Sequence, residues 1–169
     1  MQLWDDVLYP SFRNTIRGQY YGLITQDQLD EELYTLAVKA VKTFKFPRIS
    51  TDYETIYAVR VDENSLKVSD ENDPLAIPHG GFVNDMTPAE IEVILAWMKF
   101  YWAEMQISNA DSFEEQYTDS NIKVSSRANA VDKNIKLMNQ YRQYARQLET
   151  NYGRTSAKRT PTIGDINNE

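Results

Sequence analysis

The sequence contains no cysteine and a single histidine among its 169 residues. The lack of cysteine excludes disulfides, thiolate metal sites and cysteine nucleophiles, and it fits a reducing, intracellular setting. No glycine-rich phosphate loop is present, because neither G-x-x-x-x-G-K-[ST] nor G-x-G-x-x-G occurs. The longest apolar stretch, "IEVILAWMKFYWAEMQI", is interrupted by three charged residues and is too broken to span a bilayer. The start "MQLWDDVLYP" is amphipathic and acidic, so we expect neither a signal peptide nor a membrane protein.

Catalytic motifs are missing as well. His79 lies in "IPHGGF", in which HGG is similar to an esterase oxyanion loop, but no G-x-S-x-G nucleophile motif accompanies it. We therefore expect His79 to be a loop or turn residue. The stretches "DENDP" and "DENS" resemble fragments of calcium loops, yet they lack the ligand spacing and closing glutamate of an EF-hand. The sequence predicts no enzyme, no metal site and no cofactor.

Charge is unevenly distributed in this chain, whose formal net charge is −7. Residues 48–121 contain 4 Lys or Arg against 15 Asp or Glu, whereas residues 122–159 contain 9 Lys or Arg against 2 acids. One interpretation is ordinary solvated faces of a single subunit; the other is an assembling protein whose basic side meets its neighbour's acidic side. The basic segment could contact phosphates, but a pI near 4.8 and an acidic middle argue against general affinity for nucleic acid.

Two helices are predicted in the first 47 residues. Leu3–Ile16 is the first, with a kink or break at Pro10. The second begins at Thr25, which forms a capping-box pattern with Gln28, and it ends before Pro47. One face of the second helix is apolar: Leu29, Leu33, Leu36, Ala37, Ala40 and Phe44.

Residues 48–85 change to a β-type pattern. "DYETIYAVRV" alternates and predicts a strand, "DENS" a turn, and "LKV" a returning strand. "SDENDPLAIPHGG" is dense in Asp, Asn, Pro and Gly and predicts a loop. We expect a small acidic hairpin or three-stranded meander that projects from the helical body and contacts another subunit or another component of an assembly.

A long helix follows, with Thr87 as N-cap, Pro88 at its first position and Glu90 completing a capping box. It is apolar nearly all round, which predicts either a central core helix or one partly covered by a partner chain. A separate short acidic helix is expected at "DSFEEQY". The tryptophans, Trp4, Trp97 and Trp102, are expected mostly in the core.

The last helix is predicted from Ser125 or Ser126 to Tyr152, antiparallel to the helix Pro88–Ile107, with Gly153 as the left-handed residue that ends it. Beyond it, "RTSAKRTPTIGDINNE" contains too little apolar surface for a core. It is either a free flexible tail or an arm that docks on a neighbour. One apolar seam runs along this helix: Ala128, Val131, Ile135, Met138, Tyr141, Ala145, Leu148 and Tyr152.

The predicted architecture is mainly α: a helical bundle over residues 1–152, a small β-hairpin or meander insertion at 48–85, and an extended C-terminal arm at 153–169. Three stretches carry a resemblance: "LWDDVLYPSFRNTI", "FVNDMTPAEIEVILAWMKFYWAEMQI" with its Thr-Pro-x-Glu beginning, and "YTDSNIKVSSRANAVDKNIKLMNQY" before the arm. Over residues 2–152 this layout resembles the head-to-tail connector proteins of tailed bacteriophages, also called adaptor, ring or neck proteins, and those of crAss-like phages in particular. The insertion at Tyr53–Val68 is larger than in the simplest all-helical adaptors, which leaves open which ring of the neck it would form.

The resemblance implies a structural virion protein at the neck, made in the host cytoplasm. It implies a homo-oligomeric ring of about a dozen subunits that binds the portal protein and a further tail or neck protein, while DNA passes through without specific binding. Two alternatives stay open: a small helical protein-interaction or scaffold domain with a disordered tail, and an enzyme whose carboxylates meet only in the folded chain. The residues expected at the subunit or portal interface are Trp97, Phe100, Arg154, Lys158, Arg159, Ile163 and Ile166.

Overall fold

The computed structural model describes residues 1–15, 24–62, 65–116 and 124–157. Within these ranges the chain is mainly α-helical, as predicted, and it carries one small four-stranded antiparallel sheet. The elements are β1 (Gln2–Leu3), α1 (Trp4–Val7), α2 (Tyr9–Thr15), α3 (Gln26–Thr43), β2 (Tyr53–Asp62), β3 (Ser65–Val68), β4 (Ile77–Phe82), α4 (Pro88–Gln116) and α5 (Val124–Ala157).

The first predicted helix is divided between a strand and two helices. Leu3 belongs to β1 and pairs with Gly81, and the helical break lies at Leu8, two residues before Pro10. Proline has no N–H to donate to the preceding turn, which explains a break at this point. Trp4, Leu8 and Phe12, four residues apart, are all fully buried, so the break preserves one apolar face. Ile16 lies outside the described residues.

The second predicted helix is confirmed as α3. Thr25 and Gln28 form both hydrogen bonds of the capping box, which satisfies the first free N–H groups of the helix. The predicted apolar face is buried at all six positions. It packs against α4 and β4 and supplies one side of the hydrophobic core.

The sheet has the strand order β1-β4-β2-β3. The strand and the returning strand predicted from "DYETIYAVRV" and "LKV" are confirmed as β2 and β3, whereas residues 63–64 of the predicted turn lie outside the described residues. Of the two expected arrangements, the hairpin of β2 and β3 is confirmed and the three-stranded meander is wrong, because β4 pairs with β2 and not with β3. The loop expected at "IPHGG" is wrong too, since these residues form most of β4, and His79 is a buried strand residue opposite Ile56.

The expectation that the whole acidic insertion projects from the body is wrong for β4. Phe82 is fully buried and β4 packs on α3, because its glycines let the aromatic core approach the backbone closely. The outer part of the sheet is different: Val61, Val68 and Leu75 are each at least 65% exposed. This outer part of the sheet therefore exposes apolar side chains that a partner could cover.

Helix α4 is the central helix of the described chain. It packs against α3 and α5, as its apolar surface on several sides predicted. The separate acidic helix expected at "DSFEEQY" is wrong, because α4 continues without interruption to Gln116. Trp97 is only 6% exposed and belongs to the hydrophobic core, so it is not the spare apolar surface that a partner-facing position would need.

Helix α5 forms the predicted antiparallel pair with α4. Tyr152 near the end of α5 bonds to Glu90 in the first turn of α4, and the two helices pack along their length. Of the seam positions whose side chains are described, Val131 to Tyr152, only Ala145 is fully buried, while Ile135 is 38% exposed. The core therefore lies mainly among α1, α2, α3, β4 and α4, and α5 covers one side of it.

Gly153 does not end the last helix. Helix α5 continues to Ala157, and no described glycine has a positive φ, so the extended arm cannot begin at residue 153. The prediction was wrong because a glycine followed by polar residues resembles a helix end in sequence, although the backbone here stays right-handed. Lys158 and the residues after it lie outside the described chain.

A glycine inside a helix lowers the stability of the fold relative to alanine, because glycine loses more conformational entropy on folding. A Cβ built on Gly153 meets no atom within 4 Å, so Gly153→Ala is expected to stabilise the fold by about 0.5–1 kcal/mol. Urea unfolding of the two proteins would measure the change. A loss of stability would instead indicate the left-handed cap that the sequence suggested.

Candidate docking groove

One buried carboxylate joins three segments of the chain. Glu90, the capping-box residue of α4, is fully buried. Its Oε2 accepts hydrogen bonds from the Thr87 N–H at 2.9 Å and the Thr87 hydroxyl at 2.7 Å. Its Oε1 accepts from the Tyr152 hydroxyl at 2.7 Å and from the backbone N–H groups of Arg48 and Ile49, each at 3.1 Å. The start of α4, the end of α5 and the segment after α3 are therefore tied to one side chain.

These hydrogen bonds keep Glu90 ionised. Burial acts to raise the pKa of Glu90, but the hydrogen bonds from Tyr152, Thr87 and Ile49 outweigh it and lower this pKa from 4.5 to about 2. The same contact acts on the partner: burial and the bond to Glu90 raise the pKa of the Tyr152 hydroxyl. At neutral pH the site thus pairs a carboxylate with a protonated phenol.

The segment 44–49 is fixed by further contacts with α5. Phe44 is buried edge-on against the Tyr152 ring, with 5.5 Å between ring centroids. The Lys45 N–H donates to Glu149 at 2.8 Å, and the Arg48 guanidinium lies 5.7 Å from the Tyr152 ring centroid. Pro47 favours an extended conformation at Phe46, which is 69% exposed. Segment 44–49, called the wall below, is therefore held in place while the ring of Phe46 is exposed to solvent.

This wall borders a groove of about 780 Å³ between the middle of α4 and the last turns of α5. Three aromatic residues of α4 line it, with ring centroids 5.8 Å apart for Trp97 and Phe100 and 5.0 Å apart for Phe100 and Tyr101. The Tyr101 hydroxyl is fixed at 2.5 Å from the Thr43 hydroxyl. The full lining is Thr43, Lys45, Phe46, Trp97, Phe100, Tyr101, Arg142, Arg146, Glu149, Thr150, Gly153 and Arg154.

The groove is strongly cationic. Lys45, Arg142, Arg146 and Arg154 are all exposed, and no side-chain ion pair joins any of these four to another residue within the described ranges. Glu149 is the one acid in the lining, and its Oε1 already accepts the Lys45 N–H. An aromatic surface beside guanidinium groups that form no ion pair with any described residue suits an acidic ligand that also carries apolar side chains.

Three of the seven predicted interface residues meet in this groove. Trp97, Phe100 and Arg154 line it together, although Trp97 contributes little exposed surface. Lys158, Arg159, Ile163 and Ile166 lie outside the described residues. Sequence reasoning missed Lys45, Phe46 and Tyr101, because a helix-end loop and a helix face on distant parts of the chain carry no shared local signal.

His79 was also placed wrongly by the sequence. Its Nδ1 lies 3.1 Å from Oδ1 and 3.2 Å from Oδ2 of Asp5, and the histidine side chain is buried. Its Nε2 has no hydrogen-bond partner among the described residues. The pair connects β4 to α1, neither of its residues lines the groove, and it is a packing feature of the N-terminal core.

Neither a metal site nor a membrane-spanning helix is present among the described residues. No group of three or more His, Cys, Asp or Glu side chains is arranged there to hold a metal ion. No helix in the described part of the chain is long and apolar enough to cross a membrane. Comparison of the chain with protein-family models, curated proteins and solved structures returns no match.

Proposed function

We propose that the chain is an assembly protein that binds other protein subunits through the docking groove. The observation that carries this proposal is the combination, in the groove between α4 and α5, of an aromatic lining with four exposed cations that form no ion pair to a described residue. Tyr, Trp, Phe and Arg are the residues enriched where protein interfaces derive most of their binding energy. The single carboxylate of the lining is already engaged by a backbone N–H, which favours docking over general acid–base catalysis.

The resemblance to head-to-tail connectors makes this proposal more specific. The chain would be a structural virion protein that forms a ring of about a dozen copies between portal and tail. The ring would extend the DNA channel, dock tail components and let DNA pass without specific binding. In this proposal the helices form a connector-like bundle, and any extended arm begins beyond Ala157. An uneven charge distribution supports it, because subunits of a ring contact each other through two different surfaces, which opposite charges can match.

The proposal is tested on tailed particles of the phage that encodes the chain. Quantitative mass spectrometry, with the major capsid protein as internal standard, should find about a dozen copies per particle. Antibodies against the chain should label the neck in electron micrographs. Absence from the particles would overturn the ring assignment, and a stable one-to-one complex with a single cellular protein would favour the interaction-domain alternative.

A further inference from the structure

We propose that the docking groove binds the acidic loop of a second copy, so that copies of the chain join head to tail. The acidic loop is defined here as residues 69–76, which follow β3 directly. This inference rests on the proposed assembly function and names the first partner of the groove. Three observations support it: hydrogen bonds fix the conformation of the loop, the loop exposes apolar side chains, and its negative charge matches the positive charge of the groove.

The acidic loop is held in one conformation by its own aspartates. Asp70 accepts hydrogen bonds from the backbone N–H and side-chain amide of Asn72, at 2.9 and 2.6 Å. Asp73 accepts from the Ser69 hydroxyl at 2.7 Å and the Leu75 N–H at 3.0 Å. The Ser69 N–H donates to the Tyr57 carbonyl at 2.8 Å and anchors the loop to the sheet. A loop ordered before binding loses little conformational entropy when it docks.

The loop displays apolar side chains between carboxylates. Leu75 is 73% exposed and Val68, at the end of β3, is 71% exposed. Asp70 and Glu71 are exposed beside them. Hydrogen bonds from Asn72 lower the pKa of Asp70, and those from Ser69 and Leu75 lower the pKa of Asp73, so both are ionised at neutral pH. The loop thus combines exposed apolar side chains with fixed negative charge, which complements the aromatic and cationic lining of the groove.

The two surfaces are complementary and lie on different parts of one chain. The loop extends from β3, which packs on β2, whereas the groove lies between α4, α5 and residues 44–46. Leu75 would rest on the Phe100 and Tyr101 rings while the loop carboxylates face the guanidinium groups of α5. Arginine and carboxylate form bidentate hydrogen bonds that give such a contact its orientation. Because the contact joins two different surfaces, each copy keeps one free groove and one free loop, and the series continues or closes into a ring.

The test uses three double variants of the full-length chain. Arg142→Glu with Arg146→Glu reverses the charge of the groove. Glu71→Lys with Leu75→Lys alters the loop, and it spares the two aspartates that hold the loop in shape. Lys133→Glu with Lys136→Glu is the matched control, because both lysines are exposed on α5 and neither lines the groove. Circular dichroism checks that each variant is folded.

Sedimentation of the wild-type chain should show association below about 1 mM, the level of a weak specific contact. Each of the groove and loop variants should weaken association about tenfold or more, and the lysine control should match the wild type. An equimolar mixture of the groove variant with the loop variant should form dimers and nothing larger, since it contains one intact surface of each kind. A monomeric wild type at about 1 mM, or wild-type association of either variant, overturns the inference.

The C-terminal residues are the competing occupant, and truncation tests them. A chain ending at Ala157 should associate like the wild type; loss of association would assign the groove to residues 158–169 and overturn the inference. Failure here is separable from failure of the proposed function. If the chain is found at the neck but the groove and loop variants associate like the wild type, only the contact between loop and groove is overturned. If head-to-tail association is confirmed but the chain is absent from the particles, only the ring assignment is overturned.

Discussion

Replacing Glu90 by glutamine is expected to destabilise the fold by about 3 kcal/mol. The buried carboxylate accepts from five donors, and glutamine replaces one of its two acceptor oxygens with an NH₂ donor. Both oxygens of Glu90 accept hydrogen bonds, from Thr87 on one side and from Arg48, Ile49 and Tyr152 on the other. A glutamine amide offers one oxygen, and its NH₂ group would face N–H or O–H donors. The Thr87 and Tyr152 hydroxyls can rotate to accept from the amide, but at least one buried backbone N–H would lose its acceptor, at about 1–3 kcal/mol before relaxation. The remaining hydrogen bonds would also weaken, because they would no longer end on a charged group.

The matched control for this variant is Glu92→Gln. Glu92 is exposed two residues further along α4, and its one side-chain hydrogen bond to a described residue is a long contact of 3.4 Å from the Tyr144 hydroxyl. Its loss should change the free energy of unfolding by no more than about 0.5 kcal/mol. Urea unfolding at pH 7 measures both variants. Equal effects at the two positions would mean that the Glu90 hydrogen bonds do not hold the segment 44–49 in place.

The Glu90 effect also has a predicted pH dependence. The pKa of Glu90 is about 2 in the folded chain and near 4.5 when unfolded, so its carboxylate stabilises the fold above pH 4.5. That contribution is lost as the pH falls through this window towards 2, because the unfolded chain takes up the proton first. The stability difference between wild type and Glu90→Gln should therefore be largest at neutral pH and should shrink steadily below pH 4.5. A difference that grows on acidification would contradict the assignment.

The same variant links stability to the docking groove. Glu90 accepts hydrogen bonds from the N–H groups of Arg48 and Ile49, which belong to the same wall, segment 44–49, as the lining residues Lys45 and Phe46. Freed from Glu90, the wall should become mobile, so association through the groove should weaken even where the chain remains folded. Position 90 lies outside the lining, which makes this a test of positioning rather than of contact.

Local patterns in the sequence predicted elements well, and contacts between distant segments poorly. The capping boxes at Thr25 and Thr87 use residues three apart, so their sequence signal is complete within one turn. The same Glu90 also binds residues 41, 42 and 62 positions away, and no local pattern encodes those partners. Asp30 is a similar case: it was hidden in the polar pattern of α3, yet it is buried between Arg13 and Arg60.

The docking groove shows the same division. Its cations on α5 and its aromatic residues on α4 were visible as separate stripes, and the antiparallel pairing of the two helices was predictable from their lengths. Their meeting with Lys45 and Phe46 was not, since it depends on how the chain leaves α3. The prediction for Gly153 was wrong for another reason: glycine permits a left-handed cap but does not require one, and α5 continues past it to Ala157.

The glycines of β4 led to the wrong prediction of a loop at "IPHGG". One of them, Gly80, is also the position of the other large predicted effect. Gly80 has no positive φ; the requirement for glycine is one of space. A Cβ at Gly80 would lie 2.1 Å from Cε3 of Trp4, whereas a Cβ at Gly81 would lie 3.0 and 3.1 Å from Cγ and Sδ of Met1. The Met1 atoms belong to a flexible side chain that can move. Trp4 is fully buried, and its ring is surrounded by those of Tyr34, Tyr53 and Phe82 at 5.1–5.8 Å.

Gly80→Ala is accordingly expected to cost about 3 kcal/mol, at the upper end of overpacking effects, while Gly81→Ala should cost less than about 1 kcal/mol. Both substitutions restrict the unfolded chain equally, so that term cancels in their difference. Urea unfolding gives the two free energies, and near-ultraviolet circular dichroism reports whether the Trp4 ring has moved. A double-mutant cycle completes the test: in a Trp4→Leu background, where the indole is gone, Gly80→Ala should lose most of its cost. If the cost persists without the indole, or if alanine is as harmful at 81 as at 80, then the HGG stretch has glycine for some reason other than room for Trp4.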